Sequence, residues 1–154
     1  MKILTQLAIV SSLLLTQVSA LHIEGVKVML DEAILMVDET QPKELKKMIE
    51  AEEEFFLIDI RGEAQKHRGE IYHIDSYQIP RGYLEFQIEE KIKNKKSKIV
   101  IYCCSGQRSI LAAKSLKRMG YKNVTSLATG LKGWIEVGLP LDTIYGEMIL
   151  KPEK

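Results

Sequence analysis

Along this chain, short apolar runs alternate with segments whose apolar residues recur every three or four positions, and that alternation sets the expected elements. Phe55 to Ile60 and Lys98 to Tyr102 are continuous runs of the length of strands covered on both faces. Ala33 to Val37 reads the same way and is expected as the first strand; Ile74 to Ile79 and Val124 to Leu127 bring the set to about five. Helical spacing fills the intervals. Thr40 is expected to cap a helix with Pro42 in its first turn and Leu45, Met48 and Ile49 on one face. A short helix is expected near Ala64 to His67, and Leu84, Ile88 and Ile92 fall four apart in another. Arg108 to Met119 is the clearest helix, with Ala112, Ala113, Leu116 and Met119 inward and Gly120 as its stop. Gly130 to Val137 forms the last, anchored by Trp134. The order implies an α/β fold with a central parallel sheet of about five strands and helices on both faces. Ligands of such sheets bind at the carboxyl ends of the strands, where Asp59, Arg61 and Cys103 fall.

The first twenty residues differ in kind. Lys2 precedes an apolar run from Ile3 to Val18, and Ser19 and Ala20 follow, which reads as a secretory signal peptide cleaved before Leu21. The alternative is an uncleaved anchor, although the run is short for a bilayer span of about 20 residues. A periplasmic or secreted protein is expected, with no stable membrane insertion after cleavage. Residues 21–39 are expected as an extension ending in the first strand, 40–141 as one compact domain, and 142–154 as a tail. The chain has 154 residues, 45% of them apolar and 28% charged, the profile of a globular protein. Its formal charge of +1, without a basic and aromatic stripe, argues against a nucleic-acid partner. The histidines, His22, His67 and His73, lack metal-ligand spacing, so no metal is expected, and no other cofactor.

Two cysteines in an exported chain would ordinarily suggest a disulfide, but Cys103 and Cys104 are adjacent. Neighbouring Cα atoms lie about 3.8 Å apart, closer than the roughly 4.4–6.8 Å that disulfides prefer. The pair therefore asks for a chemical explanation. Cys103 ends a strand; Cys104, Ser105, Gly106 and Gln107 follow as a loop, and Arg108 and Ser109 open a helix. Amides of such a loop and of a first helical turn have no partners of their own and favour an anion. With the helix dipole and Arg108, they are expected to favour a Cys103 thiolate at the mouth of the loop and to hold an anionic substrate.

Here the chain resembles the rhodanese homology domain of sulfurtransferases, over roughly Thr40 to Leu141. The resemblance is carried by Leu57-Ile58-Asp59-Ile60-Arg61, Gly69-Glu70-Ile71, Ile79-Pro80, the loop from Cys103 to Arg108, Gly130-Leu131-Lys132-Gly133-Trp134 and Gly138-Leu139-Pro140. Glu70 stands where the family often has histidine, and Thr129 where the first of two glycines is frequent. The resemblance implies that Cys103 carries a sulfane sulfur as a persulfide. It would take the sulfur from thiosulfate or a similar anion and yield it to cyanide in an assay, or to a thiol or acceptor protein in the cell. Two alternatives stand beside this: a persulfide carrier serving a partner protein, and a thiolate phosphatase or arsenate reductase. The latter enzymes resemble this site but have five residues between cysteine and arginine, whereas here there are four.

For the remaining residues the expectations are plainer. Cys104 is expected to point to solvent at the rim; the sharper alternative is that it attacks the Cys103 persulfide or pairs with Cys103 on oxidation. Asp59 and Arg61 are expected to form an ion pair shaping the pocket wall, Arg81 to be a solvated loop arginine, and Trp134 to lie in the core.

Overall fold

The computed structural model describes residues 24–151. The expected signal peptide lies outside them. The chain forms two units, residues 1–32 and 33–154. In the first, the described residues are helical and carry a Lys27–Asp31 ion pair one turn apart. Helical structure over residues 24–36, here α1, replaces the strand expected at Ala33 to Val37. The reason is visible in the burial: Ala33 and Val37 are buried four residues apart, one helical turn, while Ile34, Leu35 and Met36 between them are exposed. The Met36 carbonyl accepts from Lys117 Nζ at 2.9 Å.

The first strand is instead β1 (Glu39–Thr40), two residues long. It is followed by α2 (Pro42–Glu50), β2 (Phe56–Asp59), a 3₁₀ turn (Glu63–Arg68), β3 (Ser76–Gln78), a second 3₁₀ turn (Arg81–Tyr83) and α3 (Leu84–Lys91). Then come β4 (Lys98–Tyr102), α4 (Gln107–Arg118), β5 (Asn123–Leu127) and α5 (Gly130–Glu136). β1 to β5 form one sheet in the order β1-β5-β4-β2-β3, every pair parallel. Thr40 is not the cap of α2. Gln41 is, its amide reaching Glu44 Oε2 at 3.4 Å, while the Thr40 hydroxyl bonds Thr125 Oγ1 on β5.

Strand residues alternate between two apolar layers, as a parallel sheet covered on both faces requires. Leu57, Val100, Tyr102 and Leu127 pack with Leu45 and Met48 of α2 and with Leu131 and Trp134 of α5. The intervening residues, Ile58, Ile99, Ile101 and Ser126, therefore face the layer of α3 and α4, and all four are buried. Trp134 is core as expected, its Nε1 donating to Pro140 O. The expected tail contains a hairpin, β6 (Leu141–Thr143) and β7 (Gly146–Met148). Asp142 of β6 forms an antiparallel bridge to Glu70 through Glu70 N to Asp142 O and Asp142 N to Glu70 O. Arg81 is not a free loop arginine: it bonds both carboxylate oxygens of Glu85 and the Ser115 hydroxyl, tying α3 to α4. Burial works against the charge of Glu85, but the hydrogen bonds and charge of Arg81, with hydrogen bonds from the Glu85 backbone and Ser115, together outweigh it and hold that carboxyl below the usual range.

Candidate active site

β4 delivers Cys103 to the carboxyl edge at the centre of the sheet, and α4 leaves the same edge four residues later, so residues 103–109 form a tight arch between them. Two glycines permit it. Gly106 caps α4 with φ +87°, and Gly130 stands against the arch with φ +58°. A Cβ on Gly130 would lie 2.5 Å from Cys103 O and 2.8 Å from Gly106 N, so only glycine fits. Thr129, where the resemblance leads one to expect glycine, is left-handed at φ +58°. Its hydroxyl donates to Ala128 O and occupies the space in which a side chain on Gly133 would sit.

The start of α5 orients the arch. Leu131 N donates to Cys103 O at 2.8 Å and Lys132 N to Cys104 O at 2.9 Å. In a trans peptide the N–H points opposite to the C=O, so the amides of Cys104 and Ser105 point away from α5. Gly106 O accepts from Ile110 N and from the Ser109 hydroxyl, which turns the Gln107 amide back along the α4 axis, out of the helix. Among the described residues, no amide from Cys104 to Ser109 donates a backbone hydrogen bond. Leaving a buried donor unpaired costs about 1–3 kcal/mol. Gly106 and Ser109 are buried, so an anion in the arch would offset that cost.

The thiol lies deeper than expected. Cys103 has no exposed surface and forms the floor of the arch rather than its mouth. It has a polar partner there: Sγ stands 3.5 Å from Ser109 Oγ, and Ser109 Oγ in turn accepts from Ser126 Oγ at 2.9 Å. At the rim, exposed Arg108 reaches Gln65 Oε1 at 3.4 Å and Cys104 Sγ at 3.6 Å. Cys104 thus does not simply point to solvent; it is half-buried beneath a guanidinium. Both thiols are free, not paired with each other.

Asp59 and Arg61 form the expected ion pair, and it is buried: Arg61 is fully so and Asp59 nearly so. Arg61 Nε and Nη2 both bond the carboxylate, at 2.6 to 2.9 Å, and Nη2 also donates to Gly69 O. The guanidinium stacks 5.4 Å from the centre of the Tyr102 ring. Burial opposes the charge of Arg61, but the hydrogen bonds and charge of Asp59 outweigh it and hold its pKa above the usual value. Burial, then the Asp59 charge, push Tyr102 well above the ordinary tyrosine range, so it stays neutral and accepts from Ile71 N. These residues fix the segment that presents Gln65 to Arg108. Gln65 and Ser126 carry no signal in the sequence; only the folded chain brings them to the loop. Among the described residues, no group of three or more His, Cys, Asp or Glu side chains converges to hold a metal.

A model of the rhodanese-like domain matches residues 41–137. A sulfurtransferase of Allochromatium vinosum is 34% identical over 106 residues, covering 69% of this chain and 95% of that one. The thiosulfate sulfurtransferase GlpE of Haemophilus influenzae is 34% identical over 92 residues, 58% of this chain and 81% of its own. Among solved structures, a Rhodopseudomonas palustris protein of unknown function, described as a possible tyrosine phosphatase, superposes with a TM-score of 0.68 at 30% identity. That match covers 75% of this chain and 92% of the other.

Proposed function

Because the chain belongs to the rhodanese-like domain family, whose sulfurtransferase members support a role in sulfur transfer, we propose that it moves a sulfane sulfur through a Cys103 persulfide. The observation that carries this reading is the run of unpartnered amides from Cys104 to Ser109 above a thiol on the arch floor. The Cys103 thiolate attacks the outer sulfur of thiosulfate or a similar anion, the sulfur–sulfur bond of the donor breaks, and sulfite leaves with the bonding pair. The terminal sulfur anion of the resulting persulfide takes the loop amides as its donors. A thiophilic nucleophile, cyanide in an assay or a thiol in the cell, then takes that sulfur and returns Cys103 as the thiolate. The sequence balances without an outside oxidant. Four residues between Cys103 and Arg108 make a cradle suited to one sulfur atom, which speaks for this chemistry over phosphate-ester hydrolysis.

Such a double displacement predicts parallel lines in double-reciprocal plots of initial rate against thiosulfate at several cyanide concentrations. Intersecting lines would exclude a free persulfide enzyme. Loading only from a partner protein, with no turnover of the small donor, would favour the carrier reading. We also propose action outside the cytoplasm. The run from Ile3 to Val18 before Ser19-Ala20 supports it, and the protein recovered from the exported fraction is expected to begin at Leu21 by N-terminal sequencing; a retained Met1 would count against it.

A further inference from the structure

Beneath Cys103 lies a pair of buried hydroxyls to which the persulfide cycle above gives no task. Ser109, in the first turn of α4, and Ser126, on β5, are both fully buried. Ser126 reaches this place through the sheet register: it pairs with Ile101 on β4, two residues before Cys103, and faces the α4 layer because its neighbour Leu127 faces the other. Its hydroxyl donates to Ser109 Oγ at 2.9 Å. Ser109 has one proton and two acceptors in reach, Gly106 O at 2.9 Å and Cys103 Sγ at 3.5 Å. Gly106 O keeps the amide of Ile110 whichever way that proton turns, so redirecting it orphans no carbonyl.

We propose that Ser126 is a positioning residue that acts through Ser109, holding a two-hydroxyl relay whose terminal proton turns from Gly106 O to Cys103 Sγ whenever that sulfur carries negative charge. This deepens the sulfur-transfer reading and rests on it for its place in the cycle. Sγ is an anion before donor attack and becomes one again when the acceptor removes the outer sulfur. Between those moments, in the persulfide, charge sits on the terminal sulfur under the loop amides and the Ser109 proton returns to Gly106 O. The proton stays on oxygen throughout. Because Ser126 fills the acceptor side of Ser109 Oγ, it polarises that hydroxyl and fixes where its proton points. Among the described residues, the charged and titratable groups beside the arch include Asp59 and Arg61 at the end of β2, Tyr102 on β4, Cys104 next to the thiol, Arg108 at the head of α4 and Lys132 in α5; the Ser126 hydroxyl bonds Ser109 rather than any of them.

The test is the pH profile of Cys103 alkylation by iodoacetamide, read by tandem mass spectrometry that separates Cys103 from Cys104. It needs no sulfur donor, so it stands apart from the transferase assay. Ser109→Ala should move the profile to higher pH and cut the rate at pH 7 about tenfold, and Ser126→Ala about threefold, as expected for losing a hydrogen bond to a charged group and a cooperative neighbour of it. In the Ser109→Ala background, Ser126→Ala should add nothing, because the relay is already cut. Ser126→Thr, which keeps the hydroxyl, should follow the parent profile. An unshifted profile in Ser126→Ala, an equal further shift in the Ser109→Ala background, or a Ser126→Thr that behaves as Ser126→Ala would each overturn the relay. If Cys103 fails to load from thiosulfate while these shifts appear, the transferase reading falls and the relay stands.

Discussion

Cys103→Ser is expected to lose thiosulfate to cyanide transfer by about 10⁴-fold or more, since removal of the attacking atom leaves only binding in the arch. The fold should tolerate the change. Serine is close to cysteine in size, and its hydroxyl meets Ser109 Oγ on the arch floor, so the buried oxygen keeps a partner. The substitution leaves Cys104 untouched and half-buried under Arg108, so the measurement also asks whether the second thiol can serve. A residual rate within tenfold of the parent would move the sulfur-bearing site to Cys104.

Asp59→Ala is expected to be the most damaging change outside the arch. Arg61 is wholly buried, and its charge is balanced by the Asp59 carboxylate, which accepts from Arg61 Nε, Nη2 and the Arg61 backbone amide. Removing one partner of such a pair strands the other charge, typically at about 3–5 kcal/mol. For a chain of this size that corresponds to a melting temperature about 10–15 °C lower. The carbonyls of Gly69 and Gln65 would still accept from the guanidinium but cannot balance its charge. Calorimetry of the variant checks this, and a melting temperature within 3 °C of the parent, about 1 kcal/mol, would show the pair to be dispensable. Because Arg61 also holds the segment that carries Gln65, transfer activity should fall with stability.

The parts of the fold legible from sequence are those whose local pattern and tertiary role agree. Lys98 to Tyr102 is apolar because both faces are covered, and it forms β4 with the expected bounds. The alternation within α4 is equally plain, since Ala112, Ala113 and Leu116 meet the sheet layer while Lys114 and Lys117 do not. Where pattern and role part, reading fails. Ala33 to Val37 looks like a buried strand only if all five residues are taken as core, whereas a helical turn buries the two ends and exposes the middle. The true first strand, Glu39–Thr40, is polar and short because an edge strand paired on one side needs backbone bonds rather than apolar side chains: Asp38 O and Thr40 O accept from Ser126 N and Ala128 N. The β6–β7 hairpin is not legible from sequence because its place depends on the bridge from Asp142 to Glu70, more than seventy residues upstream.

The site divides in the same way. Cys103 to Ser109 is legible because a thiol at a strand end, a glycine and a helix start are local facts. The depth of the thiol is not, since it depends on how α4, β5 and the start of α5 close around the arch, as the close approach of Gly130 to Cys103 O illustrates. The contact of Arg108 with Gln65, and the donation of Ser126 to Ser109, arise from long-range packing with no residue pattern of their own.

The most direct test of the central claim is the intact mass of residues 21–154 after incubation with thiosulfate and removal of the excess. A gain of one sulfur atom is expected, localised by fragmentation to Cys103, lost on adding cyanide and absent in Cys103→Ser. An unchanged mass in a folded protein, or a sulfur found on Cys104 with Cys103 free, would contradict it.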